Sequence, residues 1–438
     1  MKHAGCRPRA LLINPWVYDF KAFDFWNKPL GLLIVARLLR KSGFDITLID
    51  CMDRSSPYYS TGTKTDRFGR GKYHFEVVDK PALYRKVPRL YKRYGLPLCI
   101  FTDTIERIER PDIIFVSSTM TYWYPGAFEA IRTLREKFKG AKIILGGIYA
   151  TLCEAHALKY SGADIVVTGM AEANLPNLLR KLGYSQNNDN NALGIIPDFS
   201  LYDKLNYGVV LTSRGCPFKC TYCATRVLCP VFAVTPNTEI LEQLSRFAGK
   251  TNDIAFFDDA LLYNKSFPEL LKKIIEKKYD LNLHASNGLH CRYITQDIAG
   301  LMSKANFQTI YLSLETTNPA VQQQTGGKVN TEEFMNSVRI LTRAGFAPAQ
   351  IQTYVLYGMP DQGHEEVIDS IKLCHDLGVN PHLCEFSPIP YTAEYEKTGF
   401  DENTDPLYHN NLFYTWYYPK PRIALYKKIK RLLTKNKT

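Results

Sequence analysis

The chain has 438 residues, which is enough for two domains and a substantial hydrophobic core. Hydrophobic residues make up 45% and charged residues 22%, and no apolar run approaches the roughly 18 to 20 residues that cross a bilayer. This composition agrees with a globular protein and excludes a membrane-spanning one. The net charge of +12 suggests an anionic partner, but eight of the cations lie after Asp405 with no acid among them.

The first predicted domain covers residues 1–184. Short apolar runs alternate there with amphipathic stretches, which predicts a parallel sheet covered by helices, a doubly wound (Rossmann-like) α/β domain. Five strands are predicted, at residues 9–14, 45–49, 112–116, 142–145 and 164–167. Helical segments are predicted from Leu30, Tyr124, Leu152 and Glu172. An insertion over about 51–109, rich in Tyr, Arg and Lys, interrupts the second crossover, and we assign it no role.

Three loops of this domain are candidates for ligand binding. In doubly wound sheets, ligands sit beyond the carboxyl ends of the strands. The sequence places Ser117-Ser118-Thr119, Gly146-Gly147 and Gly169 there. Such loops suit a ligand, but a tight turn from strand to helix also requires glycine when nothing binds. Both interpretations stay open at this point.

Residues 185–206 are polar and contain Pro197, which predicts a linker. Six further strands follow, near residues 207–212, 253–257, 282–286, 309–314, 350–357 and 382–387. Six β/α units are too few to close a standard eight-stranded barrel. We therefore predict a partial, open (β/α)6 TIM-like barrel over residues 207–399, with its site at the carboxyl ends of the strands.

Residues 400–438 are predicted to be a C-terminal extension that ends in a basic helix. Ile423, Tyr426, Ile429 and Leu433 recur at helical intervals among the cations of this tail. We expect the helix to pack its apolar stripe on the protein. Peripheral contact with an anionic membrane is the alternative.

Three of the eleven cysteines stand close together after the first strand of the barrel. The N-terminus has no apolar segment of secretory length, so we expect a cytoplasmic protein whose thiols are available for metals. Cys216, Cys220 and Cys223 have a C-x3-C-x2-C spacing, which favours a cubane iron–sulfur cluster with one iron open for a substrate. Zinc is the competing metal, but structural zinc requires four closed ligands. Cys229 is predicted to be structural.

The cysteine loop, with Tyr222 directly before its last cysteine, resembles that of the radical S-adenosylmethionine (SAM) enzymes. The likeness covers residues 207–399 and includes five ordered motifs. They are Phe257-Asp258-Asp259, Ser286-Asn287-Gly288-Leu289, Leu314-Glu315-Thr316, Tyr357-Gly358-Met359-Pro360 and Ser387-Pro388-Ile389-Pro390. The resemblance implies a [4Fe-4S] cluster that cleaves SAM reductively to a 5′-deoxyadenosyl radical.

The same resemblance assigns residues to SAM. It implies that Tyr222 lies near the adenine and that Glu315 contacts the bound cofactor. Further candidates for SAM binding are Asp258, Asn287, Arg292 and Gly358. Four of these residues have an alternative: Glu315 could cap the next helix, Arg292 could be a surface charge, Gly358 could serve only a turn, and Asp258 could face the substrate.

Residues 9–183 resemble the cobalamin-binding domain that precedes many radical SAM barrels. The likeness rests on Ile13-Asn14-Pro15 with Pro29-Leu30-Gly31-Leu32, on Gly146-Gly147-Ile148-Tyr149-Ala150-Thr151 and on Thr168-Gly169-Met170-Ala171-Glu172. It implies a cobalamin site at Ser118, Thr119, Gly146, Gly147, Gly169 and Glu172. A D-x-H-x-x-G loop is absent, because residues 16–28 contain no histidine. Cobalamin would therefore bind without a cobalt ligand from that loop.

With cobalamin, the resemblance implies methyl transfer or related radical chemistry on an unknown small molecule or lipid, with a reductant protein such as flavodoxin or ferredoxin. The first alternative is a cobalamin-independent radical SAM enzyme. An RNA-modifying radical SAM enzyme is supported only by the basic insertion and tail, and because no RNA-binding module stands beside the barrel we do not expect nucleic acid. A non-catalytic metal-binding protein is the least expected.

Overall fold

A computed structural model describes residues 7–59, 65–184 and 196–434. The chain divides into two compact units. The first comprises Met1–Asn206 with Asp401–Leu407, and the second comprises Tyr207–Phe400 with Tyr408–Thr438. None of the described helices is long and apolar enough to cross a membrane.

The first unit alternates strands and helices. Its elements are β1 (Arg9–Asn14), β2 (Val17–Asp19), α1 (Leu30–Lys41), β3 (Asp45–Asp50), β4 (Phe75–Val78), β5 (Tyr91–Tyr94), α2 (Leu98–Glu106), β6 (Ile113–Val116), α3 (Tyr124–Lys137), β7 (Lys142–Leu145), α4 (Ile148–Leu152), α5 (Glu154–Tyr160), β8 (Ile165–Val166) and α6 (Ala171–Lys181). The parallel sheet has the strand order β3-β1-β6-β7-β8.

Strand β1 explains why this sheet is covered on both faces. Leu11 and Ile13 point into one core with α2 and α3, whereas Ala10 and Leu12 point into the other with α1 and α6. Successive strand residues face opposite sides, so a continuous apolar run requires two apolar layers. The predicted doubly wound α/β fold is confirmed.

Two predictions for this unit require correction. The start of the helix predicted from Leu152 is wrong, because α4 ends at Leu152 and α5 begins at Glu154 after Cys153 leaves the helical region (φ −132°, ψ 46°). The insertion predicted to reach residue 109 includes α2, whose Phe101 and Ile105 are fully buried in the main core. The inserted segment instead supplies β4 and β5, which form a small antiparallel sheet of order β2-β5-β4 with β2 from the loop after β1.

The segment predicted as a linker is only partly described, and residues 185–195 lie outside the described residues. The part that follows is bound to the first unit. Tyr202 donates a hydrogen bond from its hydroxyl to Asp50 at 2.6 Å, and Asp198 pairs with Arg40 at 2.8 Å. Residues 196–206 therefore belong to the packed structure of the first unit.

The second unit carries the elements that position the cysteines. They are β9 (Gly208–Val210), β10 (Ser213–Arg214), α7 (Thr225–Leu228), β11 (Ala233–Val234), α8 (Asn237–Phe247), β12 (Asp253–Phe256), α9 (Phe267–Glu276), β13 (Asn282–Leu289), α10 (Gln296–Lys304), β14 (Phe307–Glu315), α11 (Pro319–Gln324), α12 (Thr331–Arg343), β15 (Ile351–Tyr357), α13 (His364–Asp376), β16 (Asn380–Glu385), α14 (Ala393–Glu396), α15 (Asn411–Tyr417) and α16 (Ile423–Thr434).

Six parallel strands of this unit pair in chain order, β9-β12-β13-β14-β15-β16. The helices of the β/α units follow each strand, and β9 and β16 are the two edges. This is the predicted open partial barrel. All carboxyl ends of the strands lie at one edge, so the loops that follow them share that edge.

Helix α16 is the predicted basic helix. Ile429 on its apolar stripe is fully buried, and Tyr426 meets Trp416 with ring centroids 4.8 Å apart. Lys427, Lys428 and other cations lie on its exposed side. The apolar stripe therefore packs on the protein, as expected.

Candidate functional site

The three cysteines lie on one loop of the second unit, within a short hairpin. Strand β10 leads into this loop and pairs antiparallel with β11, which leaves it. Cys216, Cys220 and Cys223 therefore lie between two paired strands. Gly215 opens the loop at φ 78°, and a Cβ atom there would lie 2.7 Å from the carbonyl oxygen of Val231. Only glycine fits at this first position of the loop.

A turn after α11 supports the cysteine loop from a second direction. Gly326 has φ 108°, and a Cβ atom there would lie 2.8 Å from the Lys219 carbonyl oxygen and 3.2 Å from Cys220 Cα. The Thr221 N–H donates to the Thr325 carbonyl oxygen at 3.3 Å. The backbone of the cysteine loop is thereby packed directly against this turn.

Lys328 brings a positive charge to the thiols. Its ammonium group is mostly buried and lies 3.1 Å from the carboxylate of Glu315. Burial raises the pKa of the Cys220 thiol to about 11, and the Lys328 ammonium opposes this rise. Burial by itself would lower the pKa of Lys328, but Glu315 and Cys220 raise it above its ordinary value. The lysine therefore stabilises thiolates, the form of cysteine that binds iron.

Glu315 ends β14 in an uncommon backbone conformation. Its φ is 66°, at the position where the register between β14 and β15 shifts. A positive φ in a residue with a long side chain costs about 1–3 kcal/mol and persists where the surroundings hold it. Such outliers cluster at functional sites, which supports the predicted contact of Glu315 with SAM.

Tyr222 lies beside a small apolar cluster at the ends of β15 and β16, formed by Leu356, Met359 and Phe386. Its hydroxyl is buried and makes no well-formed hydrogen bond in the described part of the chain, although the Cys220 thiol and the Glu315 carboxylate lie beside it. Burial raises the pKa of this hydroxyl well above its usual value. A buried hydroxyl without a partner costs about 1–3 kcal/mol, so the site fits a ligand that supplies the missing hydrogen bond.

Asp258 and Asp259 hold the chain just before the first cysteine. Asp258 accepts hydrogen bonds from the hydroxyls of Thr212 and Ser213 at 2.6 and 2.7 Å, and burial raises its pKa to about 6. Asp259 accepts from the Gly215 N–H at 3.1 Å. The carboxylate of Asp258 is thus engaged inside the protein, and its contact with SAM stays a prediction.

Asn287 and Arg292 join neighbouring loops of the site. Asn287 donates from Nδ2 to two carbonyl oxygens of the loop after β12, at 3.0 and 3.1 Å. Arg292 pairs with Glu333 at 3.2 Å and donates to the carbonyl oxygen of Gly327 at 2.9 Å. Arg292 therefore fixes the same glycine turn that supports the cysteine loop.

Gly358 lies in the turn after β15. It has φ 100°, and a Cβ atom there would lie 2.5 Å from Thr415 Oγ1. Its N–H donates to the Gln362 side chain at 2.9 Å. The turn lines a cavity of about 670 Å³ together with Tyr414 and Arg422. Close packing explains the glycine, and a role in SAM binding stays a prediction.

Two residues of this site were missed in the sequence. Lys328 and Gly326 are more than a hundred residues from Cys216 along the chain, so no local spacing reveals their contact. The signal that was available is the glycine pair followed by lysine, which begins ten residues after the motif Leu314-Glu315-Thr316. A glycine pair between two helices indicates a tight turn, but not what the turn touches.

The donor set of the cysteine loop fits an iron–sulfur cluster. Three thiols lie on one loop, beside a buried cation and an unsatisfied tyrosine hydroxyl. Within the described ranges, no three His, Cys, Asp or Glu side chains are arranged around a single metal ion. A cubane cluster does not require that arrangement, because its irons occupy separate corners and the three thiolates would bind three different irons.

The candidate cobalamin residues lie on three neighbouring loops of the first unit. Ser118 and Thr119 follow β6, Gly146 and Gly147 follow β7, and Gly169 follows β8. The three strands are adjacent in the sheet, so their loops share one carboxyl edge. Glu172 lies in the first turn of α6, three residues beyond Gly169.

Hydrogen bonds connect these loops. Gly147 has φ 100°, and a Cβ atom there would lie 2.2 Å from the Ser118 carbonyl oxygen. Ser118 donates from its hydroxyl to the Gly146 carbonyl oxygen at 2.7 Å. Thr151 donates to the Gly147 carbonyl oxygen at 2.8 Å and accepts from the Gly169 N–H at 3.0 Å. The loops thus form one connected edge.

This edge of the sheet is accessible to a ligand. Thr119, Gly147 and Gly169 are exposed, so the backbone between the loops is accessible. An accessible carboxyl edge is where doubly wound domains bind their ligands. The loop between β1 and α1 contains no histidine to coordinate a cobalt ion.

A polar network on the same sheet edge was missed in the sequence. Asn14 at the end of β1 donates to Asp50 at the end of β3 at 2.6 Å, and Ser117 donates to Asn14 at 3.1 Å. Burial raises the pKa of Asp50. These bonds hold three strand ends together. Their residues are common in loops, so their types alone do not predict the network.

Two family models match the chain. The Radical SAM superfamily model matches residues 210–374, and the B12 binding domain model matches residues 100–179. An uncharacterized methyltransferase of Pyrococcus horikoshii is 23% identical over 68% of this chain and 72% of its own length. An uncharacterized methyltransferase of Synechocystis is 25% identical over 50% of this chain and 44% of its own length.

Solved structures share the fold. The radical SAM methyltransferase TsrM from Kitasatospora setae, with cobalamin and a [4Fe-4S] cluster bound, has a TM-score of 0.63 at 16% identity, covering 89% of this chain and 77% of its own. The cobalamin-dependent radical SAM enzyme OxsB has a TM-score of 0.58 at 13% identity, covering 98% of this chain and 61% of its own.

The two family models fall on the two sets of loops described above. The Radical SAM match begins at the end of β9 and contains the three cysteines, Glu315 and Lys328. The B12 binding match runs from α2 to α6 and contains all three loops of the connected edge. The chain therefore contains a Radical SAM domain and a B12-binding domain, and these domains imply a [4Fe-4S] cluster, SAM and cobalamin as cofactors.

Proposed function

We propose that this enzyme transfers a methyl group from SAM to a small molecule by cobalamin-dependent radical chemistry. The observation that carries the proposal is the presence, in one chain, of a three-cysteine radical SAM loop and an accessible B12-type sheet edge. The names of the relatives support it, since two are called methyltransferases and TsrM is also known with tryptophan as its substrate.

The cofactors supply the difficult chemistry. A bound [4Fe-4S] cluster provides the electron that cleaves SAM reductively, and bound cobalamin carries the methyl group. In this chain Cys216, Cys220 and Cys223 would hold the cluster. The ammonium of Lys328 and the carboxylate of Glu315 offer opposite charges close to the thiols, and they suit the carboxylate and amino groups of the SAM methionine.

Other residues would orient SAM and exclude water. The unsatisfied hydroxyl of Tyr222 is available for a hydrogen bond to SAM, and the apolar cluster beside it would shield the adenine. Asp258, Asn287 and Arg292 would act mainly by fixing the loops, because their polar groups already bond to the protein. Gly358 would allow its turn to pack closely.

For cobalamin, the accessible backbone at Thr119, Gly147 and Gly169 would contact the cofactor. Ser118 and Gly146 would keep the loops in register through their hydrogen bond. Glu172 in the first turn of α6 would contribute a polar group at the rim.

The substrate class and the partners belong to the same proposal. A small molecule is the expected acceptor of the methyl group. A lipid acceptor is the alternative, and it would use the basic C-terminal helix. Because α16 packs its apolar stripe on the protein, membrane contact would rest on the exposed cations alone. We place the enzyme in the cytoplasm, where flavodoxin or ferredoxin can reduce it.

The test follows the fate of the SAM methyl group. The full chain is reconstituted with iron, sulfide and hydroxocobalamin without oxygen, and S-adenosylhomocysteine is quantified after adding SAM and a reductant. About one equivalent per bound cobalamin is expected without a substrate, because one cobalamin accepts one methyl group. Protein prepared without cobalamin is the control. Equal amounts with and without bound cobalamin would favour the cobalamin-independent enzyme.

A further inference from the structure

A cavity of the second unit lies between the turn after β15 and the C-terminal extension. Its volume is about 670 Å³, within the range of roughly 300–1,000 Å³ that is typical of small-molecule sites. Tyr357 and Asp361 line it from β15 and the turn, and Tyr414 and Arg422 line it from the extension. Apart from Gly358, no residue that we assign to the cluster, SAM or cobalamin lines it.

This cavity adjoins the side chains beside Tyr222. Met359 belongs to the apolar cluster on which Tyr222 packs, and Tyr414 packs against the same cluster. Both Met359 and Tyr414 also line the cavity. Tyr222 directly precedes Cys223 in the cysteine loop. A small molecule in the cavity would therefore lie near the residue that we assign to the adenine of SAM.

One wall of the cavity is aromatic. The rings of Tyr414 and Tyr418 are stacked, with centroids 5.9 Å apart and an angle of 26° between their planes. Met359, Pro419 and Leu425 add apolar surface to the lining. Aromatic rings pack favourably on other rings in offset-stacked or edge-to-face contact. The cavity therefore suits a ligand with a planar apolar body.

Arg422 brings a positive charge to the cavity. Its guanidinium donates to the Thr415 carbonyl oxygen at 3.4 Å. Burial raises the pKa of the Tyr357 hydroxyl, and the charge of Arg422 beside it opposes this rise. Arg422 forms no ion pair with any residue that the structure describes, whereas Lys397, which also lines the cavity, pairs with Glu394 at 2.9 Å. A guanidinium without a carboxylate partner fits a carboxylate on the ligand, which it can bind through two parallel hydrogen bonds.

Asp361 limits the charge of that ligand. It is exposed, lines the same cavity and forms no ion pair with a described residue. Burial raises the pKa of the Tyr414 hydroxyl, Arg422 opposes this rise and Asp361 adds to it, so both charges act on one hydroxyl. A ligand with one negative charge can pair with Arg422, whereas a second negative charge would be repelled by Asp361. The cavity therefore favours a monocarboxylate over a phosphate dianion.

We propose that this cavity binds the methyl acceptor, a small aromatic monocarboxylate whose carboxylate pairs with Arg422 and whose ring packs on Tyr414 and Tyr418. The acceptor role rests on the proposed methyl transfer, whereas the carboxylate site rests on the cavity and its charges alone. The C-terminal extension then supplies both the charge and the aromatic wall that select the substrate.

The test measures binding without turnover. The probes are 3-phenylpropionate, its uncharged amide 3-phenylpropanamide, and phenyl phosphate, each titrated by ligand-observed NMR against the anaerobically reconstituted full chain without a reductant. Arg422→Gln removes the charge, and Leu425→Trp fills part of the cavity. Arg431→Gln is the matched control, because Arg431 is an exposed residue of α16 that does not line the cavity.

We expect the wild type to bind 3-phenylpropionate at least about 10-fold more tightly than the amide, because the carboxylate gains a charge-assisted pair. Arg422→Gln should remove this preference, and Leu425→Trp should weaken both probes because their space is occupied. Arg431→Gln should bind all probes like the wild type. Phenyl phosphate should bind the wild type more weakly than 3-phenylpropionate, and Asp361→Asn should narrow that difference.

Equal binding of 3-phenylpropionate by the wild type and Arg422→Gln would overturn the proposal, as would no detectable binding at millimolar probe or tighter binding of phenyl phosphate. The thermal midpoint of each variant shows whether it is folded. If Arg422→Gln is unfolded, Arg422→Lys decides, because it keeps the charge and should keep the preference for the carboxylate over the amide. If probe binding depends on Arg422 but bound cobalamin does not change the yield of S-adenosylhomocysteine, methyl transfer and the acceptor role fail and the carboxylate site stands.

Discussion

Single residues decide whether the cysteine loop can form. Gly215 and Gly326 each approach the backbone of another segment too closely for a side chain, and each has a positive φ. The conformation of the loop therefore depends on the absence of a side chain at these two positions as much as on its three cysteines. The charge of Lys328 then favours the thiolate form of Cys220.

Gly326→Ala tests the packing of the glycine turn on the cysteine loop. The added methyl group would collide with the Lys219 carbonyl oxygen, so we expect clearly reduced cluster content as well as about 1–3 kcal/mol of lost stability. Gly345→Ala is the matched control, since Gly345 has a similar φ of 101° but its Cβ atom would meet only the Ser303 hydroxyl at 3.6 Å.

Iron and sulfide content per chain, measured after reconstitution, distinguishes the two variants. Both should lower the thermal midpoint, and only Gly326→Ala should lower the iron content. Equal iron in both variants would mean that the turn does not position the loop.

The raised pKa of Asp258 predicts that the stability of the folded protein depends on pH. Burial raises its pKa in the folded protein to about 6 from the ordinary 3.8, so folding takes up a proton between these values. Stability should therefore fall as pH rises from about 4 to 6, by up to about 3 kcal/mol from this residue, with no further change from it above that range.

The measurement for this residue is the thermal midpoint of the apoprotein against pH. Asp258→Asn should flatten the curve between about pH 4 and 6, and Asp376→Asn at an exposed position is the control. A curve that keeps its slope in Asp258→Asn would contradict this assignment.

The sequence predicts the chemistry of individual residues better than their partners. The spacing of the three cysteines indicates a cluster because a loop binds its ligands locally. Lys328, in contrast, reaches the thiols only through the fold, and nothing in its neighbours reveals this. Asp258 belongs to a motif that resembles a SAM contact, but the structure shows its carboxylate holding Thr212 and Ser213.

At the scale of elements, the edge of the first sheet depends on the fit between two loops. Gly147→Ala would place a methyl group 2.2 Å from the Ser118 carbonyl oxygen, and the loops after β6 and β7 would separate. We expect cobalamin affinity to fall at least about 10-fold, because displacement of a binding loop removes several contacts at once. Hydroxocobalamin binding to the full chain, followed by absorbance, measures this.

Gly43→Ala is the control for the sheet edge. Gly43 has a positive φ of 82° with nothing within 4 Å of a Cβ atom, and it lies in the turn from α1 to β3 at the opposite edge. Gly43→Ala should lower the stability of the protein and leave cobalamin binding unchanged. If Gly147→Ala binds hydroxocobalamin like the wild type, the cofactor does not lie on this edge.

Elements with strong periodicity were predictable, and irregular ones were not. Strands β1 and β7 were predicted with their observed ends because buried strands of a parallel sheet are continuous apolar runs. The break between α4 and α5 at Cys153 was not predicted, since it depends on packing rather than on a proline or glycine. The antiparallel sheet β2-β5-β4 was missed because β2 has only three residues.

For the whole molecule, the order of the domains and their open sheets follow from the sequence pattern. The C-terminal helix packs as expected, whereas residues 401–407 group with the first unit, which no local pattern indicates. Segments that return to an earlier unit are determined by tertiary contacts. The matched cofactor domains then define the enzyme class.

The most direct test of the central claim is the formation of 5′-deoxyadenosine by the anaerobically reconstituted full chain with SAM and dithionite. We predict that the wild type and Cys99→Ala, at an exposed cysteine outside the loop, form it and show cluster absorbance. Cys220→Ala should lose both, because two thiolates cannot hold the catalytic cluster. Retained SAM cleavage in Cys220→Ala would contradict the assignment of the cluster to this loop.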